Sequence, residues 1–175
     1  MTIYEEASKL QPSDAYIELV DFDATPLGGQ VYYFTNLPTG SGNTIKWRGN
    51  NYYPLPFEIT GIESKGDGTA PNRPQIVISN VHKVLYAAVL SLGNLIGMRV
   101  TRWRTFFKYT DNGSEPNPIM HYPEDLWIVT KKMSHTRDVL QYELSSVLDR
   151  PGLMLPRAQI LKDFGFPGVS RVRRR

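Results

Sequence analysis

Hydrophobic and polar residues alternate with period two in several short stretches of this chain. Such alternation places every second side chain on one face of a strand. Residues 15–22 read AYIELVDF, with Ile17 and Leu19 set between polar neighbours. Pro26, Leu27, Gly28 and Gly29 supply a turn, and residues 30–35 (QVYYFT) supply a second strand, so 15–35 predicts a hairpin-like pair. Residues 36–43 are rich in Gly, Ser and Pro and read as a loop. Residues 44–47 and 51–53 then flank Arg48, Gly49 and Asn50. Gly49 and Asn50 both tolerate positive φ, which suits a tight hairpin, and Pro54 and Pro56 close it. A short strand over 59–64, a loop over 66–71 and a more buried strand over 73–79, with Ile76, Val77 and Ile78 in a row, follow.

One long stretch has helical spacing instead. Val81, Val84, Leu85, Ala88, Val89 and Leu92 recur at intervals of three and four and form one apolar stripe. Asn80 stands where an N-cap belongs, and Gly93 where a left-handed residue ends a helix. Residues 97–109 predict a long strand carrying Val100, Trp103 and Phe107. Residues 126–131 and 139–145 predict a further hairpin around Ser134, His135 and Thr136. At the start, Ile3, Tyr4, Ala7 and Leu10 fall on one side of a short amphipathic helix.

The expected fold is mainly β with a minor α+β character: a β-barrel or sandwich-like domain with one amphipathic helix and extended terminal arms. Its divisions are an N-terminal segment over 1–14, a β-rich domain over 15–150 and a basic C-terminal arm over 151–175. Arg150, Pro151 and Gly152 mark the second boundary, and only 158–162 beyond it hints at a helical turn. Fourteen glycines, 13 prolines and 20 aromatic residues agree with a turn-rich β architecture. The chain of 175 residues has the length of one ordinary domain.

Charge changes the picture at one end. The net charge is +3, and Arg171, Arg173, Arg174 and Arg175 contribute four positive charges, so the remainder carries −1. The basicity is a tail on a near-neutral body. There is no cysteine, which removes thiolate catalysis, disulfides and zinc–thiolate sites. No apolar run approaches the ~20 residues of a membrane helix, and Glu5 and Glu6 interrupt the start, so neither a membrane anchor nor a signal peptide is expected.

Candidate chemistry is sparse. His82, His121 and His135 share no metal-ligand spacing, and His121 beside Glu124 reads as exposed loop. Asp21 and Asp23 would share a strand face, as paired acid–base carboxylates of a glycan-active enzyme do, but strand ends ordinarily carry Asp. No nucleophile elbow or phosphate loop is present. Residues 99–108 (RVTRWRTFFK) interleave Arg99, Arg102, Arg104 and Lys108 with Trp103, Phe106 and Phe107. Such a strand could bind single-stranded nucleic acid. The alternation favours the plainer account, with aromatic residues in a core and arginines in water. No catalytic residue, metal or cofactor is therefore expected. The terminal arginines remain open to phosphates, to an acidic protein surface, or to solvent.

Several patterns, in order along the chain, resemble the minor tail protein L family of lambda-like siphophages. They are Glu18, Leu19, Val20 and Asp21; Gly28 and Gly29 with Tyr33 and Phe34; Ile45, Lys46, Trp47, Arg48 and Gly49; and Tyr52 through Pro56. Gly61, Ile62, Glu63 and Gly66, Asp67, Gly68 precede Arg73 through Asn80; Gly97, Met98, Arg99 and Val100 follow; and Leu153, Met154, Leu155, Pro156 and Arg157 close the match. The resemblance implies a hub-like structural protein at the distal end of the virion tail, assembled in the host cytoplasm. It implies a homo-oligomer, a ring of three copies, that joins a distal tail protein to a central fibre or receptor-binding assembly. Longer members continue into a cysteine-rich region with an iron–sulfur cluster, and this sequence contains no such region. Residues 158–175 are expected to serve as a clamping arm instead, with Arg157, Phe164, Phe166, Arg171, Arg173, Arg174 and Arg175 meeting the partner. The alternative is a nucleic-acid-binding module built on the same arginines. The two join if the arginines face a tail lumen and touch passing DNA.

Overall fold

In the computed structural model, the described residues are 3–7, 15–37, 44–62, 73–79, 85–136 and 138–147. Helix α1 (Ile3–Ala7) precedes strands β1 (Tyr16–Asp23), β2 (Val31–Thr35), β3 (Ile45–Trp47), β4 (Asn50–Pro54), β5 (Phe57–Thr60) and β6 (Gln75–Ser79). Helix α2 (Tyr86–Ser91) and strands β7 (Arg99–Phe106), β8 (Asp125–His135) and β9 (Val139–Ser146) complete the set. All nine strands belong to one sheet in the order β3-β4-β2-β1-β7-β8-β9-β6-β5. The fold is mainly β with minor helix, as expected.

Every neighbour pair is antiparallel except β2 and β4, which run parallel. That exception closes the sheet. β4 lies beside β2, the Leu55 N–H donates to the Thr35 carbonyl (3.0 Å), and β5 begins two residues later beside β6. The Ser79 N–H in turn donates to the Pro56 carbonyl (2.9 Å). One bent segment is thus shared by both seams, and the sheet curls into a barrel rather than splitting into a sandwich. Pro54 and Pro56 fit there because neither needs to donate in the ladder.

The interior is one apolar cluster. β1 gives Val20 and Phe22, β2 Phe34, β5 Phe57, β6 Ile76 and Ile78, β7 Val100, β8 Trp127 and Val129, and β9 Leu140, Tyr142 and Leu144. Leu85, Ala88 and Val89 of the helical region join them, so α2 plugs the barrel end from which β7 starts. The helix is shorter in the described residues than its stripe predicts, and Asn80, Val81 and Val84 lie outside them. Gly93 does take φ +62° and ends it.

Local expectations shift in instructive ways. The β3–β4 turn uses Arg48 (φ 51°) and Gly49 (φ 78°), not Gly49 and Asn50. Trp47 pairs with Asn50, leaving a two-residue loop that needs positive φ at both positions. The strand placed over 59–64 starts earlier, at Phe57, and residues past 62 lie outside the description. β7 ends at Phe106, where Phe107–Tyr109 turns into a single 3-10 turn. In α1, Ile3 is buried against Phe106 and Tyr109, but Tyr4 is 61% exposed, its ring edge-on to Tyr122.

A bare outer face beside a covered one

The residues expected to meet a partner, Arg157, Phe164, Phe166, Arg171, Arg173, Arg174 and Arg175, lie outside the described residues. What is described is the barrel surface from which that segment departs, just after β9 at Val147.

Strand periodicity gives β1, β7, β8 and β9 a common outer face. Asp21 stands opposite Thr101, which stands opposite Leu126; Asp23 stands opposite Arg99, Arg99 opposite Ile128, and Ile128 opposite Ser145. Towards β2 the same face continues with Ile17, Leu19 and Trp103, and there it is covered. The β3–β4 hairpin folds over it, seating Ile45, Trp47 and Tyr52 in a second apolar cluster with Ile17 and Leu19. Towards β9 no described element covers it. An open cleft of about 650 Å³ runs between Asp23, Ile96, Arg99, Leu126, Ile128 and Val147. Ile96, Leu126 and Val147 are 47%, 43% and 40% exposed. An antiparallel sheet with one solvated face ordinarily turns polar residues outward, and here three part-exposed aliphatic side chains line one cleft instead.

The covered half accounts for most of the chemistry that looked catalytic. Asp21 accepts hydrogen bonds from the Tyr52 hydroxyl and the Trp103 indole N–H, both at 2.8 Å. Burial raises its pKa, while those two bonds pull the other way. Burial also raises the Tyr52 hydroxyl, followed by the facing Asp21 charge. The group is thus a two-donor anchor beneath the hairpin. Asp23 is occupied locally, accepting from the Thr25 backbone N–H (2.9 Å) and the Thr25 hydroxyl (2.5 Å). Both carboxylates are thus occupied within the fold.

Arg48 lies between the Trp47 and Trp103 rings, 4.4 and 4.5 Å from their centroids, and donates to the Pro118 carbonyl at 2.8 and 3.1 Å. His121 stands edge-on to both indoles, and its Nδ1 lies 2.7 Å from the Tyr122 carbonyl. It is half-buried, not the exposed loop residue expected, because the 111–124 loop folds back over the hairpin. Of the β7 arginines, Arg99 is exposed as expected, while Arg102 and Arg104 depart from expectation. Arg102 pairs with Glu18 and, at 3.7 Å, with Asp125; Arg104 approaches the same Asp125 at 3.4 Å and lies over the Tyr122 ring. They tie β1 to β8 instead of facing water. The alternation in sequence is correct, but partners on neighbouring strands are invisible to it. No three His, Asp or Glu side chains gather to hold a metal among the described residues, and no helix there is long and apolar enough to cross a membrane.

Residues 25–166 match the sequence model of Phage minor tail protein L. The chain belongs to that family. The match runs from the β1–β2 turn through strands β2 to β9 and into the C-terminal segment, with β1 just before it. The L-family chain is also 30% identical over 97 residues to the "Tail tip protein L" of Escherichia phage lambda. That alignment covers 55% of this chain and 41% of the lambda protein, so it spans less than half of the relative's length. Membership makes the chain a structural component of a phage tail. Without a cysteine it offers no thiolate to an iron–sulfur cluster.

Proposed function

We propose that this L-family protein is a non-enzymatic subunit of the distal tail tip of a siphophage. It acts as a baseplate-hub element that links the tail-tube and distal-tail rings to a central fibre or receptor-binding assembly. The observation that carries the proposal is the family match over 25–166, which takes in nearly the whole barrel. The name of the lambda relative points to the same end of the tail. Side-chain chemistry supports a structural role, because the part-buried Asp21, Arg102 and Arg104 and the exposed Arg48 are engaged in holding strands and loops together.

The subunits form a closed ring of three. Closed rotational symmetry lets one patch meet its complement on the next copy without an open-ended filament. The arm of residues 151–175 reaches the neighbour, with Arg157, Phe164 and Phe166 at its root and Arg171, Arg173, Arg174 and Arg175 at its end. The end arginines fit carboxylates on an adjacent tail protein, and those turned to the lumen contact DNA in transit. Electron cryo-microscopy of purified tails tests this: density for the barrel in three symmetric copies at the distal end is expected. Density along the tube, a single copy, or tails that lack the protein altogether would overturn it.

A further inference from the structure

We propose that Asn112 and Gly113 form a site of spontaneous deamidation that the fold holds in check, and that conversion of Asn112 loosens the 111–124 loop from the β3–β4 hairpin. They are the one Asn-Gly pair in the sequence. A glycine carries no Cβ to shield its backbone nitrogen, so that nitrogen can reach the carbonyl carbon of the preceding asparagine side chain. Packing dictates the glycine here. A Cβ at 113 would lie 2.3 Å from the Lys108 carbonyl oxygen and 2.4 Å from that of Phe107. The chain therefore cannot shed the reactive pair by changing residue 113. Asn112 is exposed, so water reaches it.

The reaction balances with water alone. The Gly113 nitrogen gives up its proton and attacks Cγ of Asn112. The Cγ–Nδ2 bond breaks, ammonia leaves with that proton, and a cyclic imide remains. Water then opens the ring at either carbonyl, giving aspartate or its isomer, in which the backbone runs through the former side chain. The folded chain holds both reacting groups. The Gly113 N–H donates to the Thr110 carbonyl (2.9 Å), closing a turn, and a hydrogen bond made by the protonated nitrogen opposes loss of its proton. Asn112 Nδ2 donates to the Thr44 carbonyl (3.4 Å), next to β3. Neighbouring contacts brace the turn against the hairpin. The Asp111 N–H donates to the Lys46 carbonyl (2.9 Å), the Asp111 carboxylate accepts from the Gly49 N–H (3.0 Å), and Arg48 donates to the Pro118 carbonyl (2.8 Å). Conversion puts a carboxylate where an amide donor faced Thr44, beside the charge of Asp111, and the isomer also lengthens the backbone of the turn. Both changes oppose the contacts that seat the loop.

This chemistry belongs to the isolated full chain and does not rest on the tail-tip assignment, which its failure would leave standing. The full chain is incubated at mildly alkaline pH, folded or in urea, and peptides spanning residue 112 are followed by mass spectrometry. Conversion of amide to acid at Asn112 should be about tenfold or more slower in the folded protein, because it must await local opening of the turn. Arg48→Ala cuts the loop's tie at Pro118 without touching the reacting pair. It should speed conversion of the folded protein several-fold and leave the rate in urea unchanged. Asn112→Gln, whose ring would be larger by one atom, should stay intact in both conditions. Protein aged until Asn112 has converted should exchange its Gly49 and Asp111 amide hydrogens faster than fresh protein. No conversion in urea, equal rates folded and unfolded, a folded rate untouched by Arg48→Ala, or unchanged exchange after ageing would overturn the proposal.

Discussion

A buried and a part-buried side chain make opposite predictions under substitution. Tyr142 fills the barrel, but its hydroxyl has no hydrogen-bond partner among the described residues, and burial pushes its pKa up to about 12. Removing a buried, unpaired hydroxyl costs nothing in lost bonds. Tyr142→Phe should therefore leave the thermal midpoint unchanged or raise it, and a loss above ~1 kcal/mol would reveal a partner such as an internal water. Asp21 is the contrary case, because it satisfies two donors. Asp21→Asn keeps one acceptor oxygen and turns an amide N–H₂ towards the other donor, at a cost of about 1–3 kcal/mol in urea unfolding. The folded pKa of Asp21 is raised, so the folded state holds its proton more tightly than the unfolded chain does. That contribution is complete below the ordinary value of 3.8 and is lost as pH rises through the folded pKa. The stability gap between the parent and Asp21→Asn should accordingly narrow as pH rises above about 4. A gap that widens with pH would contradict the burial-dominated account.

At the scale of elements, the β3–β4 hairpin and the α2 plug each rest on a few residues. Gly49 turns at φ +78° with open space around it, so any L residue there meets backbone strain and no clash. Gly49→Ala should cost about 1 kcal/mol. Gly113 is different, since a Cβ would come within 2.3 Å of the Lys108 carbonyl oxygen and 2.4 Å of that of Phe107. Gly113→Ala must displace backbone and should lower the chemical-denaturation midpoint by more than Gly49→Ala does. Much of this layer was legible in the sequence. Period-two alternation located β1, the turn at Pro26–Gly29 set off β2, the apolar run Ile76, Val77 and Ile78 located β6, a hairpin pattern located β8 and β9, and Gly93 marked the end of α2. The hairpin turn was misplaced by one residue, because Arg48 accepts a left-handed conformation that its residue type disfavours. The two indoles that clasp its guanidinium, Trp47 in β3 and Trp103 in β7, are far apart in sequence, and no local pattern contains both. The ion pairs of Arg102 and Arg104 escaped for the same reason. The bare cleft was likewise invisible: Ile96, Leu126 and Val147 read as ordinary apolar positions until the sheet's curl decided which faces are inside.

For the whole molecule, the arm and the barrel have separable roles. Deleting 158–175 leaves every described element intact and removes Phe164, Phe166 and the terminal arginines. The shortened protein should fold with an unchanged thermal midpoint yet fail to enter tails in a complementation assay. Normal tail assembly by that deletion would discard the clamping arm. Within the barrel, the pairing of β1 with β7 has a consequence for synthesis. Tyr16 meets Phe106 and Asp23 meets Arg99, so one of the first strands to emerge waits for about 80 further residues before its flanking strand exists. Until then β1 has β2 alone as a paired strand, and one of its two edges is open. A chain stalled on the ribosome before residue 99 should accordingly be a strong client of holdase chaperones, and release from them should coincide with the appearance of β7.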